Sequence, residues 1–420
     1  MNRNPTSSDP ARGRGSALPL CSARGRPSEI ALYIHIPFCQ TKCPYCDFNA
    51  YAGIESIIPS YTAALTSEID HWGALLGNPR VSTIFFGGGT PSYVPSHDLD
   101  SILKAAQSAF EIMPGAEITM EANPGDLLVN DVEYLTKLGI NRLSIGVQSV
   151  DDSLLKVLGR RHSSQEVLEA YNAVRRAGFT NVSLDLMYGL PHQTMEQWRD
   201  SLKKVLSLSP EHLSLYGLAL EEGTPMEQQV RLSKLPQPNP DLAADMYVLA
   251  EELLGQAGYG HYEISNWAIS QRESLHNLTY WHNQPYLGIG TGAHSYLGRW
   301  RFNNINSPRE YIRRMNEAAP PDMVVDDLSP EAIGRVPTVE EVETIEQHME
   351  MAETMMLGLR LEEGVSLDGF AARFGSSLAS VYGELIQELT AVGLLKQSEG
   401  VLRLTGQGRL LGNEVFLRFF

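Results

Sequence analysis

The chain has 420 residues, 43% hydrophobic and 20% charged, with 50 acidic against 33 basic side chains and a formal net charge of −17. This is a globular composition with material for a large core, enough for one large domain plus a smaller one or for two domains. The acidic balance argues against nucleic acid as a partner, since phosphate contacts need a basic face. No apolar run approaches the roughly 18 residues that cross a bilayer. With only 4 cysteines, no disulfide framework is expected. Free thiols place the protein in a reducing, cytoplasmic compartment.

Residues 1–28 hold five arginines (Arg3, Arg12, Arg14, Arg24 and Arg26) and one acid, Asp9, among Ser, Gly and Pro. The expectation is a disordered tail, with a transit peptide as the competing reading. Cys21 lies in this tail and is not expected to be a ligand. From position 29, short β-rich runs alternate with amphipathic segments. Strands are expected at Ala31–Ile36, Val81–Phe86, Glu117–Glu121, Arg142–Val147, Val182–Met187 and His212–Gly217. Helical periodicity falls near 57–76, 97–112, 129–138, 151–177 and 194–208. The alternation predicts an α/β fold with a parallel sheet. Six such units fit a partial (β/α)6 barrel over 29–217 better than a complete eight-fold one, and a doubly wound open sheet is the alternative.

Residues 218–347 read as a barrel extension followed by an acidic, proline-containing connection from 321. Residues 348–420 read as a smaller helical module. Its helical runs are Met355–Leu361, Leu367–Phe374 and Val381–Val392, followed by a hairpin turning at Glu399-Gly400, a winged-helix-like order. On an acidic chain this module suits packing or partner binding rather than DNA.

The unusual polar residues fall just after strands. Cys39, Cys43 and Cys46 follow the first, with C-x3-C-x2-C spacing, and Gly87-Gly-Gly-Thr-Pro91 follows the second. Glu121-Ala-Asn-Pro124 ends the third and Gln148-Ser149 the fourth. Asp185 and Tyr188 close the fifth and Tyr216 the sixth. Parallel α/β folds bind ligands at the carboxyl ends of their strands. A four-iron cluster is normally held by four thiolates, so three close cysteines leave one iron open to another ligand. A structural zinc site with a histidine as fourth ligand is the competing reading.

The cysteine loop together with GGGTP resembles the radical S-adenosylmethionine superfamily. That likeness implies a 4Fe-4S cluster on Cys39, Cys43 and Cys46, whose open iron chelates the cofactor's methionine. It also gives the glycines a purpose, close backbone approach and N–H donation to that methionine. The runs Tyr33-Ile-His-Ile-Pro-Phe-Cys39, Gly146-Val-Gln-Ser149, Leu158-Gly-Arg-Arg-His162 and Asp185-Leu-Met-Tyr-Gly-Leu-Pro191 narrow it to the oxygen-independent coproporphyrinogen oxidase-like branch. By motif match, Tyr33, Gly88, Gly89, Thr90, Glu121, Gln148, Arg160 and Asp185 would contact S-adenosylmethionine. Glu121 suits the cofactor's amino group, Arg160 its carboxylate, and Gln148 and Asp185 its ribose.

The coproporphyrinogen dehydrogenases of this branch carry a further cysteine two residues after the third. Here that position is Phe48. Cys46-Asp-Phe-Asn49 is similar to the HemW-type heme chaperones, and so is His276-Asn-Leu-Thr-Tyr-Trp281, a sequence that group links to heme. The resemblance implies heme as a third bound group, with His276, Tyr280 and Trp281 as its contacts, and acceptor hemoproteins as partners. His35, His282 and His294 compete as iron ligands. Whether the chain is also an enzyme is left open, as are peripheral membrane association and homodimer formation. Anaerobic decarboxylation of coproporphyrinogen III is the alternative activity.

Overall fold

A computed structural model describes residues 26–129, 131–320, 325 and 327–420. The expected tail lies outside the described residues up to position 25, and Cys21 with it.

The six expected strands are present as β1 (Glu29–Ile36), β2 (Arg80–Gly88), β3 (Glu111–Ala122), β4 (Arg142–Gln148), β5 (Val182–Tyr188) and β6 (His212–Gly217). They lie side by side in chain order, and each neighbouring pair is parallel. Helices Ile58–Leu76, Ser96–Ala109, Ser164–Arg176 and Met195–Ser207 make crossovers between them. The strands read as apolar runs because side chains on both faces are covered: Leu32, Ile84, Leu143, Val182 and Leu213 are all fully buried. The sheet stays open, so the result is a partial barrel of six βα units.

Two expected helices are interrupted, for local reasons. The run 151–177 divides into Asp152–Val157 and Ser164–Arg176. Between them Gly159 takes φ +64°, and Ser163 starts the second helix in a reciprocal cap with Glu166. The run 129–138 begins on the last residue of helix Pro124–Val129 and resumes as Val132–Lys137, capped by Asp131.

Beyond β6 the chain widens the sheet at both edges. β7 (Gly260–Glu263) and β8 (Asn266–Ala268) add antiparallel to β6. β9 (Tyr286–Ile289) pairs parallel with β1, followed by β10 (His294–Leu297), β11 (Trp300–Asn304) and β12 (Val339–Thr344). The segment from 321, read from sequence as a connection, therefore ends in an edge strand. In β12, Val339 and Val342 pack on the core while Glu340, Glu341 and Glu343 face water. Such charges protect an edge from further pairing. Residues 321–324 and 326 lie outside the described residues.

A buried carboxylate locks this extension to the barrel. Glu68, on helix Ile58–Leu76, is fully buried. It accepts from the Gly290 N–H at 2.9 Å, Thr338 Oγ1 at 2.8 Å and Asn304 Nδ2 at 2.6 Å, and from the Tyr311 hydroxyl. Burial raises its pKa, and these donors oppose the rise.

The carboxyl-terminal part holds helices Gln347–Gly358, Leu367–Phe374 and Leu378–Ala391 and a small sheet of β13 (Val365–Ser366), β14 (Leu395–Ser398) and β15 (Val401–Leu404). Helices followed by the β14–β15 hairpin give the winged-helix-like order. It has its own core around Met355, Phe370, Leu389 and Leu402. Arg301 of β11 grips Glu353 in a two-pronged ion pair at 2.7 and 2.8 Å, and Arg409 reaches Glu251 at 2.8 Å.

Candidate functional site

A cavity of about 520 Å³ opens at the carboxyl ends of the strands. That is within the roughly 300–1,000 Å³ usual for ligand sites. Cys39, Cys43, Cys46, Gly88, Gly89, Thr90, Glu121, Gln148, Arg160 and Asp185 all line it. Residues spread over 147 positions of sequence thus converge because most sit in or just past the carboxyl-terminal half of a parallel strand, while Arg160 enters from beyond helix Asp152–Val157.

The cysteine loop is fixed from several sides. His35 Nε2 lies 2.8 Å from the Asn49 carbonyl, so β1 holds the far end of the loop. Pro44 accepts from the Met226 N–H at 2.9 Å, and Thr90 Oγ1 donates to Cys39 Sγ at 3.4 Å. Burial raises the Cys39 and Cys46 thiols. Among the described residues, no three His, Cys, Asp or Glu side chains converge closely enough for a single metal ion.

The glycines line the cavity and also bind the protein's own backbone. Gly89 N–H donates to the Ile36 carbonyl at 2.7 Å and Thr90 N–H to that of Phe38 at 2.8 Å. Gly88 N–H donates to Glu121 at 3.2 Å. These donors stitch the turn to the cysteine loop and to β3. A Cβ on Gly88, at φ +109°, would lie 2.4 Å from the His35 ring, and one on Gly89 would lie 2.7 Å from the Phe38 carbonyl oxygen. Both glycines thus let the turn come close to the protein's own loop.

Several polar groups are left open toward the cavity. Gln148 ends β4 with φ +63°, a costly backbone for a non-glycine residue, and its buried Oε1 has no partner. Arg160 donates to the Gly146 carbonyl at 2.7 Å and to Cys43 Sγ at 3.6 Å, and its buried Nε has no partner. Burial, then the nearby Asp185 charge, pushes Glu121 up to about 7. An acceptor, a buried cation and a high-pKa carboxyl beside three thiols suit a ligand bearing ribose hydroxyls, a carboxylate and an ammonium. The residues fit S-adenosylmethionine. Asp185 is more occupied than its motif suggests, because Ser144 and Ser183 each donate to it at 2.8 Å.

Four expected contacts are not brought into the cavity lining. The Tyr33 hydroxyl lies 3.0 Å from His35 Nδ1 while its ring packs on Phe85. Tyr33 therefore sits behind the cavity wall, bracing the histidine that holds the loop. His276 is 1% exposed, on helix Leu275–Trp281. Its Nδ1 lies 2.8 Å from Thr83 Oγ1 and its Nε2 2.8 Å from Tyr280 Oη. Both ring nitrogens are engaged, so the structure presents neither His276 nor Tyr280 as an open heme contact. Burial, aided by the Arg142 charge, lowers His276 to about 3 and keeps it neutral. Trp281 lies under the Arg360 guanidinium, 4.3 Å from its ring centre. Of the competing histidines, His35 is committed to the loop, while His282 reaches Glu363 at 3.4 Å. His294 is an exposed residue of β10.

Sequence reading missed Tyr45, Arg142, Ser144, Met187, Arg161, Ser214 and Asn277, which also line the cavity. Register places Ser214 opposite Asp185 and Ser144 opposite Ser183. Small polar residues in phase on neighbouring strands were the available signal.

A model of the radical SAM superfamily matches residues 33–205, and one of the HemN C-terminal domain matches residues 345–411. The chain is 38% identical to the heme chaperone HemW of Bacillus subtilis, over 92% of this chain and 98% of that protein. It is 36% identical to the heme chaperone HemW of Lactococcus lactis, over 92% and 96% respectively. The fold is similar to that of coproporphyrinogen III oxidase (HemN) from Escherichia coli, with a TM-score of 0.79 at 24% identity, covering 94% of this chain and 92% of that one.

Proposed function

Because the chain belongs to the HemW family of the radical SAM superfamily, we propose that it is a heme chaperone that binds heme and passes it to acceptor hemoproteins. The observation that carries this reading is the near full-length likeness to relatives named heme chaperones. Phe48 supports it: where the dehydrogenases have a further cysteine, this chain places an aromatic side chain, 63% exposed, at the cavity lip.

In this reading Cys39, Cys43 and Cys46 hold a 4Fe-4S cluster. Gly88, Gly89, Thr90, Glu121, Gln148, Arg160 and Asp185 surround S-adenosylmethionine. When bound, the cluster supplies one-electron chemistry and an open coordination position. Glu121 faces the cofactor's ammonium, Gln148 its hydroxyls, and Arg160 its carboxylate from beside Cys43. Tyr33 acts one layer back, through His35. Ligation of heme iron by His276 requires one of its ring nitrogens to leave Thr83 or Tyr280 first. Asn277 is the residue of that sequence which already lines the cavity.

Among the described residues no helix is long and apolar enough to cross a membrane. We place the chaperone in the cytoplasm, meeting its acceptors there or at a membrane surface. The division at 29–217, 218–347 and 348–420 gives a cofactor-binding barrel, an extension carrying the HNLTYW helix and a carboxyl-terminal module.

The test is heme titration with and without a reconstituted cluster, followed by transfer to apo-hemoproteins. A Soret band at stoichiometric heme, lost on mixing with acceptor, is expected. No Soret band on titration sinks the chaperone reading. Anaerobic conversion of coproporphyrinogen III at an enzyme-like rate would favour the dehydrogenase instead.

A further inference from the structure

Arg142 begins β4 and points into the barrel, where it is 2% exposed and lines the same cavity. Its Nε is buried without a hydrogen-bond partner. Among the described residues no carboxylate lies within salt-bridge reach of it, and no group hydrogen-bonds its side chain. Asp185 is close enough to feel its charge, but both Asp185 oxygens already accept from serines. The neighbouring imidazoles supply no negative charge, and His212 and His276 are held neutral, first by burial and then by the Arg142 charge itself.

An arginine stays protonated in any protein setting. Leaving one desolvated and unpaired is strongly unfavourable. The other buried arginine of the cavity, Arg160, has a carbonyl and a thiol as acceptors. Arg142 has only the cavity.

We propose that Arg142 is a carboxylate-recognition site at the cavity floor, taking a ligand carboxylate in the two-pronged geometry of a guanidinium. Two ligands of this protein would carry such a group: the methionine end of S-adenosylmethionine and the propionate arms of heme. With Arg160 already beside the cysteine loop, the propionate is the expected occupant. That assignment rests on the heme-chaperone reading; the cofactor alternative does not.

Full-length protein with reconstituted cluster is titrated in two arms, as wild type, Arg142→Gln and Arg142→Lys. One arm compares hemin with its dimethyl ester, and the other compares S-adenosylmethionine with its decarboxylated form. Wild type should favour hemin over the ester by about tenfold or more. Arg142→Gln should bind hemin no better than the ester while its affinity for the ester stays unchanged. Arg142→Lys should keep part of the preference, since it keeps the charge and loses the fork. The unchanged ester affinity shows that the variant is folded. A carboxylate preference that depends on Arg142 only in the cofactor arm moves the site to S-adenosylmethionine. If Arg142→Gln keeps the carboxylate preference in both arms, or loses carboxylate and carboxylate-free ligands equally, the site is overturned. Failure of wild type to bind hemin at all would sink the chaperone reading, and the cofactor arm would then decide Arg142 alone.

Discussion

The rim of the cavity and the His276 end of helix Leu275–Trp281 carry equally distinctive sequence, yet the structure treats them in opposite ways. At the rim, Gln148 Oε1 and Arg160 Nε are buried without partners, and Gln148 holds a left-handed backbone. At the start of helix Leu275–Trp281, Glu117 accepts the N–H groups of Leu275 and His276 at 3.2 Å each, and both His276 ring nitrogens are engaged; at its far end Trp281 Nε1 is buried without a partner. Open polar atoms mark a place built for a ligand, because a buried group without a partner is costly unless something else supplies one. A satisfied network marks a brace. A motif match cannot tell these apart.

The contrast can be broken most severely at the cysteines. Cys39→Ser is expected to abolish bound iron and sulfide while leaving the melting curve of the cluster-free chain nearly unchanged, since serine is a poor soft-metal ligand. Retained stoichiometric iron after reconstitution would show that the rim is not the cluster site.

A brace should behave in the reverse way. His276→Ala strands Thr83 and Tyr280 and opens a void, costing about 2–4 kcal/mol of stability with cluster content unchanged. A variant as stable as wild type that no longer binds heme would reverse our reading of this helix.

Gly88→Ala tests the close approach at the rim. The added Cβ meets the His35 ring at φ +109°, which should cost about 1–3 kcal/mol and weaken cluster retention by disturbing the loop that His35 holds. Unchanged stability and iron content would show that the turn yields easily.

The last effect is conditional on pH and vanishes at pH 4.5. Glu121 has a folded-state pKa of about 7 against an ordinary 4.5, so the folded chain binds the extra proton. Stability should fall as pH rises from about 4.5 to about 7 and stay level above. Glu121→Gln removes this penalty, so it should raise stability above pH 7 by about 3 kcal/mol and change little at pH 4.5. An equal effect at both ends would show that the carboxyl is not held protonated. Urea melts at pH 4.5 and 8 decide it.

The six parallel strands and most of the cavity were legible because parallel βα units impose local patterns. Apolar runs of five to eight residues are bounded by turns, with chemistry just past each strand. The three cysteines, Gly88, Glu121, Gln148 and Asp185 could be placed in this way, while Arg160, beyond helix Asp152–Val157, was reached only through its motif. β9 was not legible, because Tyr286–Ile289 is a four-residue run whose partner, β1, lies some 250 positions earlier. β12 was hidden by its acids, which suit an edge strand as well as an exposed connection.

What the sequence determined by itself is local: strand identity, loop chemistry and the absence of a fourth thiol at Phe48. Side-chain pairing across the barrel was left to the tertiary structure. It alone shows that Tyr33 and His276 spend their polar atoms on His35, Thr83 and Tyr280, whereas Arg142, an unremarked residue at the start of a strand, spends its Nε on nothing. The physical reason is that hydrogen-bond satisfaction depends on neighbours brought together by folding, and no spacing along the chain records it.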